Sequence, residues 1–120
     1  MRGTVLQGEQ SGRTIGFPTV NLDPSVIPQG TQEGIYAVRL EIYNQQYKGV
    51  LYFGPRLVKD ETNNVLEIYI LDFNSTIYGE EIEFSLAGYV RGIKNFGSME
   101  ELKEEIQRDV EAAKKILSDN

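Results

Sequence analysis

GIYAVRLEIYNQQYKGVLYF, residues 34–53, is the part of the sequence that most clearly specifies a β fold. Residues 34–43 are rich in β-branched and aromatic side chains, which favour extended strands. Alternation along an extended chain places four apolar side chains on one side of this strand: Tyr36, Val38, Leu40 and Ile42. The polar residues 44–46 are predicted to turn the chain, and residues 47–53 return as a second strand. The sequence therefore predicts an antiparallel hairpin.

Three other segments also carry strand patterns. Residues 3–8 indicate a short first strand that ends at Gly8. Residues 65–73 are almost continuously apolar, which indicates a strand buried on both faces. Residues 80–86 alternate between apolar and acidic or polar side chains, as a half-buried strand does.

Two segments lack a regular period. Residues 22–34 hold two prolines and two glycines, and we expect a loop that closes over a ligand as a lid. Residues 88–97 are predicted to form a short irregular connection with basic and aromatic groups, among them Arg91 and Phe96.

The last segment is a clearly amphipathic helix. Ser98 and Glu101 are spaced as in a capping box. An apolar face recurs at helical spacing: Leu102, Ile106, Val110, Ala113 and Leu117. Antiparallel strands followed by one such helix predict a mainly β protein, a small β-barrel with a C-terminal α-helix packed on it. With 120 residues and no sign of a second unit, we expect a single domain, 1–120.

The composition excludes several kinds of site. The chain has no cysteine and no histidine. Disulfides, thiolate nucleophiles, cysteine-ligated zinc, Ser-His-Asp triads and imidazole metal sites are therefore absent. Acid–base chemistry falls to Asp, Glu, Lys or Tyr, and any metal is expected to be a hard, oxygen-liganded ion such as Mg²⁺.

The charge and hydropathy of the chain bear on its partners. A formal net charge of −6 argues against binding to nucleic acid, which requires a basic face. No apolar run is long enough to span a bilayer, and no secretory signal opens the chain. We therefore expect a soluble protein that does not bind membranes, with the cytoplasm as its default compartment.

Residues 12–21, GRTIGFPTVN, are poor material for a helix or a central strand. Thr19 and Asn21 lie two residues apart, so an extended backbone points both side chains to the same side. Their neutral oxygens suit Mg²⁺ when phosphates supply the negative ligands, and Arg13 is near enough in sequence to contact those phosphates. The alternative is an ordinary loop, the commoner meaning of such a cluster.

Glu67 lies in the middle of the apolar segment 65–73, whose other carboxylate, Asp72, lies near the end of the segment. Alternation places Glu67 with Tyr69 and Leu71. Such a group either faces solvent or is buried with a raised pKa, and the residues alone favour the solvent-facing interpretation.

Motifs in order along nearly the whole chain resemble the riboflavin kinase (flavokinase) family. The motifs are GRxxGFPTxN at 12–21, GIYA at 34–37, LExxILDF at 66–73, Tyr78-Gly79, Arg91, Phe96, Glu100-Glu101-Leu102 and Asp109. The resemblance implies a closed six-stranded antiparallel Greek-key β-barrel with a C-terminal helix. It also implies transfer of the ATP γ-phosphate to the 5′-hydroxyl of riboflavin, giving FMN and ADP, with Mg²⁺ or, in some members, Zn²⁺.

The resemblance also assigns roles to residues by position. Glu67 matches the carboxylate that serves as the base, in contrast to the interpretation from the residues alone. Thr19 and Asn21 match the metal-binding pair, and Arg91 and Phe96 match the flavin site. The nucleotide and its phosphates are assigned to residues 8–19, through Gly8, Gly12, Arg13, Gly16, Pro18 and Thr19. The chain departs from the family pattern after Arg56, where Leu57-Val58-Lys59 follow, and after Arg91, where no acidic residue follows.

The expected partners are the small molecules ATP and riboflavin. In many bacteria this kind of domain is joined to an upstream FMN adenylyltransferase module, and nothing in this sequence resembles that module. Two alternatives to a kinase stay open: a non-catalytic flavin- or nucleotide-binding module on the same barrel, and an oligonucleotide-binding barrel, which the acidity of the chain disfavours.

Overall fold

Six strands and one long helix form the regular structure of the residues described by the computed structural model, which are 1–6, 19–55, 64–73, 75–93 and 98–118. The strands are β1 (Arg2–Thr4), β2 (Val20–Leu22), β3 (Gly34–Ile42), β4 (Gln45–Pro55), β5 (Asn64–Ile70) and β6 (Glu81–Arg91), and the helix is α1 (Met99–Ile116). The predicted class, mainly β with a C-terminal helix, is confirmed.

The strands form one antiparallel sheet that nearly closes into a barrel. Its order is β1-β6-β3-β4-β5-β2, so β1 and β2 lie at the two edges. An isolated antiparallel bridge joins Leu6, just after β1, to Asn21 of β2. The Leu6 N–H donates to the Asn21 carbonyl oxygen at 2.7 Å. This bridge satisfies backbone groups that an open edge would expose to other chains.

The turn between β3 and β4 is tighter than predicted. It consists of Tyr43 and Asn44, with φ of 52° and 63°, and Gln45 already pairs with Ile42. The expectation of a turn at 44–46 is therefore wrong by one residue. Two consecutive residues with positive φ are typical of the two-residue hairpin turn, whose twist matches that of the strands it joins.

Two apolar clusters lie on opposite faces of the sheet. The inner cluster fills the barrel and includes the fully buried side chains of Val38, Leu51, Ile68 and Ile82. The outer cluster joins the sheet to α1 and consists of Ile35, Ala37, Val50, Leu71, Val110, Ala113 and Leu117.

Helix α1 begins and packs as its sequence predicts. The Glu101 N–H donates to the Ser98 hydroxyl at 3.2 Å, which caps the helix. Val110, Ala113 and Leu117 of the predicted apolar face are buried, and Leu102 and Ile106 are half-buried.

The prediction that β5 is buried on both faces is only partly right. Leu66, Ile68 and Ile70 are buried in the barrel, whereas Glu67 and Tyr69 on the outer face are half-buried. The reason is that α1 covers only part of the outer face.

Strand β6 extends further than predicted. It continues through residues 88–91, which were expected to form an irregular connection. Gly88 permits this because its missing side chain leaves room for the helix: a Cβ there would lie 2.8 Å from Cγ2 of Ile116. The pairing of β6 with β3 absorbs register shifts between Ile35 and Tyr36 and between Ala37 and Val38.

Residues 22–34 have more structure than a loop. Residues Pro24–Val26 form a 3₁₀ helix, and the Asp23 carboxylate accepts the Ser25 N–H at 2.9 Å. Leu22 and Ile27 are buried in the inner cluster, which anchors the segment to the barrel. The lid role expected for this segment stays a prediction.

We predict that Gly34→Ala destabilises the fold more than Gly79→Ala. Both glycines have positive φ, 154° and 82°. A Cβ at Gly34 would lie 2.5 Å from the Arg91 carbonyl oxygen, whereas nothing lies within 4 Å of one at Gly79. Urea unfolding should show a loss of roughly 3 kcal/mol for Gly34→Ala and about 1 kcal/mol for Gly79→Ala. Equal losses would contradict this steric argument.

Candidate functional site

A row of five residues crosses the outer face of the sheet. Asn21 of β2 lies opposite Glu67 of β5, and Glu67 lies opposite Tyr52 of β4. Tyr52 lies opposite Ile35 of β3, which in turn lies opposite Arg91 of β6. Directly opposite residues of antiparallel strands share a face. The sheet therefore brings together Asn21, Glu67 and Arg91, three of the residues that the sequence singled out.

Thr19 joins this row at its β2 end. Its hydroxyl donates to Oε1 of Glu67 at 3.4 Å, a long hydrogen bond. Thr19, Asn21 and Glu67 are all half-buried. A hydroxyl, an amide and a carboxylate are thus presented side by side on the outer wall of the barrel.

The environment of Glu67 is intermediate between the solvent-facing and the buried positions that the sequence left open. The side chain is on the outer face, as the solvent-facing interpretation requires, but it is neither fully exposed nor enclosed. A half-buried carboxylate with a hydroxyl partner is accessible to a ligand and still restrained in position, which suits a group that accepts a proton.

The oxygen atoms of Thr19, Asn21 and Glu67 are suitable ligands for Mg²⁺. Among the residues that the structure describes, no group of three or more His, Cys, Asp or Glu side chains is placed to hold a metal. Thr19 and Asn21 instead offer neutral oxygens beside the single carboxylate of Glu67. Such a set suits Mg²⁺ when phosphate oxygens of a substrate complete the coordination, because Mg²⁺ is typically held by few protein ligands.

Tyr52 occupies the centre of the row and was not singled out from the sequence. Its O–H donates to the carbonyl oxygen of Pro55. Burial, followed by the carboxylates of Glu67 and Glu33, raises the pKa of Tyr52 to about 12 against the opposing effect of Arg91. The phenol is therefore uncharged at neutral pH. Pairing the second strand of the hairpin with the strand of Glu67 would have identified it, but the register between those strands cannot be read from the sequence.

Arg91 is held by two acidic residues of α1. Its Nε and Nη2 groups donate to the two carboxylate oxygens of Asp109, both at 2.8 Å, and its Nη1 group donates to the Gly92 carbonyl at 2.9 Å. Glu105 approaches Nε at 3.4 Å. Asp109 is 3% exposed, so this ion pair is largely removed from water and fastens α1 to the end of β6.

One end of the barrel surrounds the row. Glu33, just before β3, accepts the side-chain N–H of Asn64 at 2.9 Å, and Asn64 pairs with Pro55 at the end of β4. The Tyr89 O–H donates to the Glu33 carbonyl at 3.4 Å, and its ring meets Tyr36 edge-on at a centroid distance of 5.2 Å. The four strands β3 to β6 therefore meet at this end through polar and aromatic contacts.

Several predicted site residues lie outside the described residues. They are Gly8, Gly12, Arg13, Gly16, Pro18 and Phe96, together with the divergent residues Leu57-Val58-Lys59. Their assigned roles stay predictions.

No helix in the described parts of the chain is long and apolar enough to cross a membrane.

Comparison with known proteins shows the family to which the chain is similar. A family model described as flavokinase, riboflavin kinase, matches residues 1–117. The RNA-binding riboflavin kinase RibR of Bacillus subtilis is 37% identical over 114 residues, which are 94% of this chain and 49% of that protein. The bifunctional riboflavin kinase/FMN adenylyltransferase of Haemophilus influenzae is 36% identical over 119 residues, which are 97% of this chain and 38% of that protein. The chain thus spans half or less of the length of these relatives.

Two solved structures are similar to the fold. A Streptococcus pneumoniae structure described as a macrolide-efflux protein has a TM-score of 0.79 and 32% identity, and the match covers 94% of this chain and 37% of that one. The riboflavin kinase of Trypanosoma brucei has a TM-score of 0.63 and 20% identity over 97% of this chain and 77% of that one. At that identity the second similarity concerns the fold alone.

We predict that Tyr52 makes the fold sensitive to alkaline pH. The pKa of Tyr52 in the folded state, about 12, lies above the ordinary value of 10. Between these values the unfolded chain loses the proton while the folded chain keeps it, so stability is present below pH 10 and falls as the pH rises toward 12. Since the phenol is only half-buried and solvent screens its neighbours, urea unfolding at stepped pH should show wild type losing about 1 kcal/mol more than Tyr52→Phe over this range. Parallel pH profiles would contradict the assignment.

We predict a large loss of stability for Asp109→Ala, because Arg91 would be left in a largely buried position without its bidentate partner. Removing one partner of such a pair typically costs 3–5 kcal/mol, so we expect about 3 kcal/mol in urea unfolding. Glu104→Ala on the same helix is the matched control. Glu104 forms an exposed pair with Arg108 at 3.9 Å, and its loss should cost less than about 1 kcal/mol. Similar losses for the two variants would show that the Asp109 pair is not a structural clamp.

Proposed function

Because this chain belongs to the flavokinase (riboflavin kinase) family, we propose that it transfers the γ-phosphate of ATP to the 5′-hydroxyl of riboflavin, giving FMN and ADP. The observation that carries the proposal is the family match over residues 1–117. The grouping of Thr19, Asn21 and Glu67 on one face supports the proposal. Together they supply a carboxylate to accept a proton and neutral oxygens to hold a metal ion.

Glu67 is the proposed base. In the reaction the 5′-oxygen of riboflavin forms a bond to the γ-phosphorus, the bond from that phosphorus to the bridging oxygen breaks, and ADP leaves. The hydroxyl proton passes to the Glu67 carboxylate. A carboxylate can accept this proton in a chain without histidine. Phosphoryl transfer otherwise depends mainly on positioning and charge stabilisation.

Thr19 and Asn21 are the proposed protein ligands of the metal, Mg²⁺ or, as an alternative, Zn²⁺. When bound, the metal offsets negative charge on the phosphates. Thr19 has a second task in this scheme, because its hydrogen bond to Glu67 restrains the carboxylate beside the metal ligands.

The remaining site residues follow the family positions. Residues 8–19 are proposed to surround the nucleotide, with Arg13 on its phosphates and Gly8, Gly12, Gly16 and Pro18 shaping the backbone around them. Arg91 and Phe96 are proposed to lie at the flavin. The position of Arg91 on the row of Glu67 supports this, since the two groups then belong to one surface.

The proposal also extends to the architecture and partners. We propose that residues 1–120 form one kinase domain and that the barrel is a fully closed Greek-key barrel. The proposed partners are ATP and riboflavin, together with an FMN adenylyltransferase, linked or separate, that uses the FMN. The Haemophilus influenzae relative, described as having both activities, supports the last point. We place the reaction in the cytoplasm, where ATP is available.

The proposal is tested by incubating the chain with riboflavin, ATP and Mg²⁺ and separating the flavins by chromatography. We expect FMN to form only when ATP and Mg²⁺ are present. Glu67→Gln keeps the size of the side chain but removes the base, so turnover should fall by about 10²-fold or more. Glu41→Gln is the control, since Glu41 is also a half-buried strand glutamate and binds Gln46 away from the row.

Two outcomes would contradict these assignments. A folded chain that binds riboflavin and forms no FMN would favour the non-catalytic binding module. Undiminished turnover in Glu67→Gln would leave the kinase in place and remove Glu67 as its base.

A further inference from the structure

Tyr52 lies between the two ends of the candidate site. Its Cα is paired with that of Glu67 on one side and with that of Ile35 on the other, and Ile35 is paired with Arg91. Neighbouring strands are about 4.8 Å apart. The Tyr52 backbone is therefore one strand spacing from Glu67 and two from Arg91.

The ring of Tyr52 is held in place by the protein. Its O–H donates to the Pro55 carbonyl, and it packs against the outer cluster beneath α1. A Cβ at Gly54 would lie 2.7 Å from Cδ1 of Ile93 and 3.6 Å from the Tyr52 hydroxyl oxygen, so Gly54 makes room for Ile93 close to the phenol. The side chain is nevertheless only half-buried, so a fixed aromatic surface stays accessible on the outer wall.

The charges around this surface select the kind of group that binds there. The carboxylates of Glu67 and Glu33 both act on the phenol, with Arg91 acting in the opposite sense. Two carboxylates disfavour a phosphate in direct contact with the ring. A flat, uncharged heteroaromatic group suits a neutral aromatic surface, because offset stacking needs no charge.

We infer that Tyr52 contacts the riboflavin ring and is a binding residue of the flavin site. This inference rests on the proposed function. Six bonds join the 5′-oxygen to nitrogen N10 of the isoalloxazine ring, so an extended ribityl chain spans roughly 7 Å, between one and two strand spacings of about 4.8 Å. With the 5′-hydroxyl at Glu67, the ring reaches Tyr52, and its far end points toward Arg91.

The fluorescence of bound riboflavin tests this contact. A phenol stacked on an excited flavin quenches its emission by donating an electron, and a phenylalanine ring does not. In Tyr52→Phe the fluorescence of bound riboflavin should rise toward that of free riboflavin, while the Kd changes by less than about threefold. Tyr52→Ala removes the stacking surface and should raise the Kd for riboflavin roughly tenfold.

Two other tyrosines serve as controls. Tyr69 lies on the same outer face and packs against the same cluster, and Tyr89 lies at the end of the barrel beside Glu33. Tyr69→Phe and Tyr89→Phe should both keep the quenching seen in wild type. The inference would be overturned if quenching persisted in Tyr52→Phe or were lost only in Tyr89→Phe. It would also be overturned if Tyr52→Ala left the Kd for riboflavin unchanged.

The same samples separate this inference from the proposed function. FMN formation by wild type together with quenching that does not depend on Tyr52 contradicts the inference alone. Tyr52-dependent quenching without FMN formation contradicts the kinase and supports the contact. Failure of wild type to bind riboflavin overturns the inference.

Discussion

The register of the antiparallel sheet is the constraint on which the candidate site depends. Side chains alternate between the two faces of a strand, so a slip of one residue would turn Glu67 into the barrel and a neighbouring apolar residue outward. The two-residue turn at Tyr43 and Asn44 fixes the pairing of β3 with β4. Burial of Leu66, Ile68 and Ile70 in the core determines which side of β5 points outward. The outward position of Glu67 is thus a consequence of core burial.

The helix makes a second, electrostatic contribution to the same face. The cost of removing two charges from water can exceed their attraction, so a buried pair such as Arg91 and Asp109 is weak evidence for stability as such. Its geometry is informative because two parallel hydrogen bonds at 2.8 Å restrict the position of α1 relative to the end of β6. We interpret the pair as selecting the position of the helix, while Val110, Ala113 and Leu117 supply the apolar burial.

Local patterns predicted the longer elements of this fold, whereas the short edge strand β2 at Val20–Leu22 was not predicted. The alternation in 34–42 and 65–70, the Ser98 cap and the apolar face of α1 all depend on neighbouring residues, and the structure has them. The end of β6 was missed because Gly88 resembles a strand breaker. The glycine is instead required by Ile116 of α1, far along the chain, whose side chain occupies the space of a Cβ at position 88.

The site was less predictable than the fold. Alternation along the strand predicted the side of the sheet on which Glu67 lies. The two-residue spacing of Thr19 and Asn21 predicted that their side chains lie together. Their meeting with Glu67 depends on the pairing of β2 with β5, which brings together residues 46 positions apart (67 − 21). The place of Tyr52 beside Glu67 also depends on strand pairing, and no local pattern marks it. Asp109 was among the family motifs, but only the structure shows that it pairs with Arg91.

The packing of the barrel explains why a ligand site belongs on its outer wall. Leu40, Leu51 and Ile68 are at most 1% exposed, so the inner cluster is filled by side chains, as in other small barrels. The described interior of the barrel therefore offers no room for a substrate, and the proposed site lies on the outer wall instead. Glu67 and Tyr52 lie on that wall, and Arg91 is fixed to α1. The helix covers enough of the wall to bury Ile35 and leaves Glu67 half-exposed, so the same packing that stabilises the domain also limits where a substrate can bind.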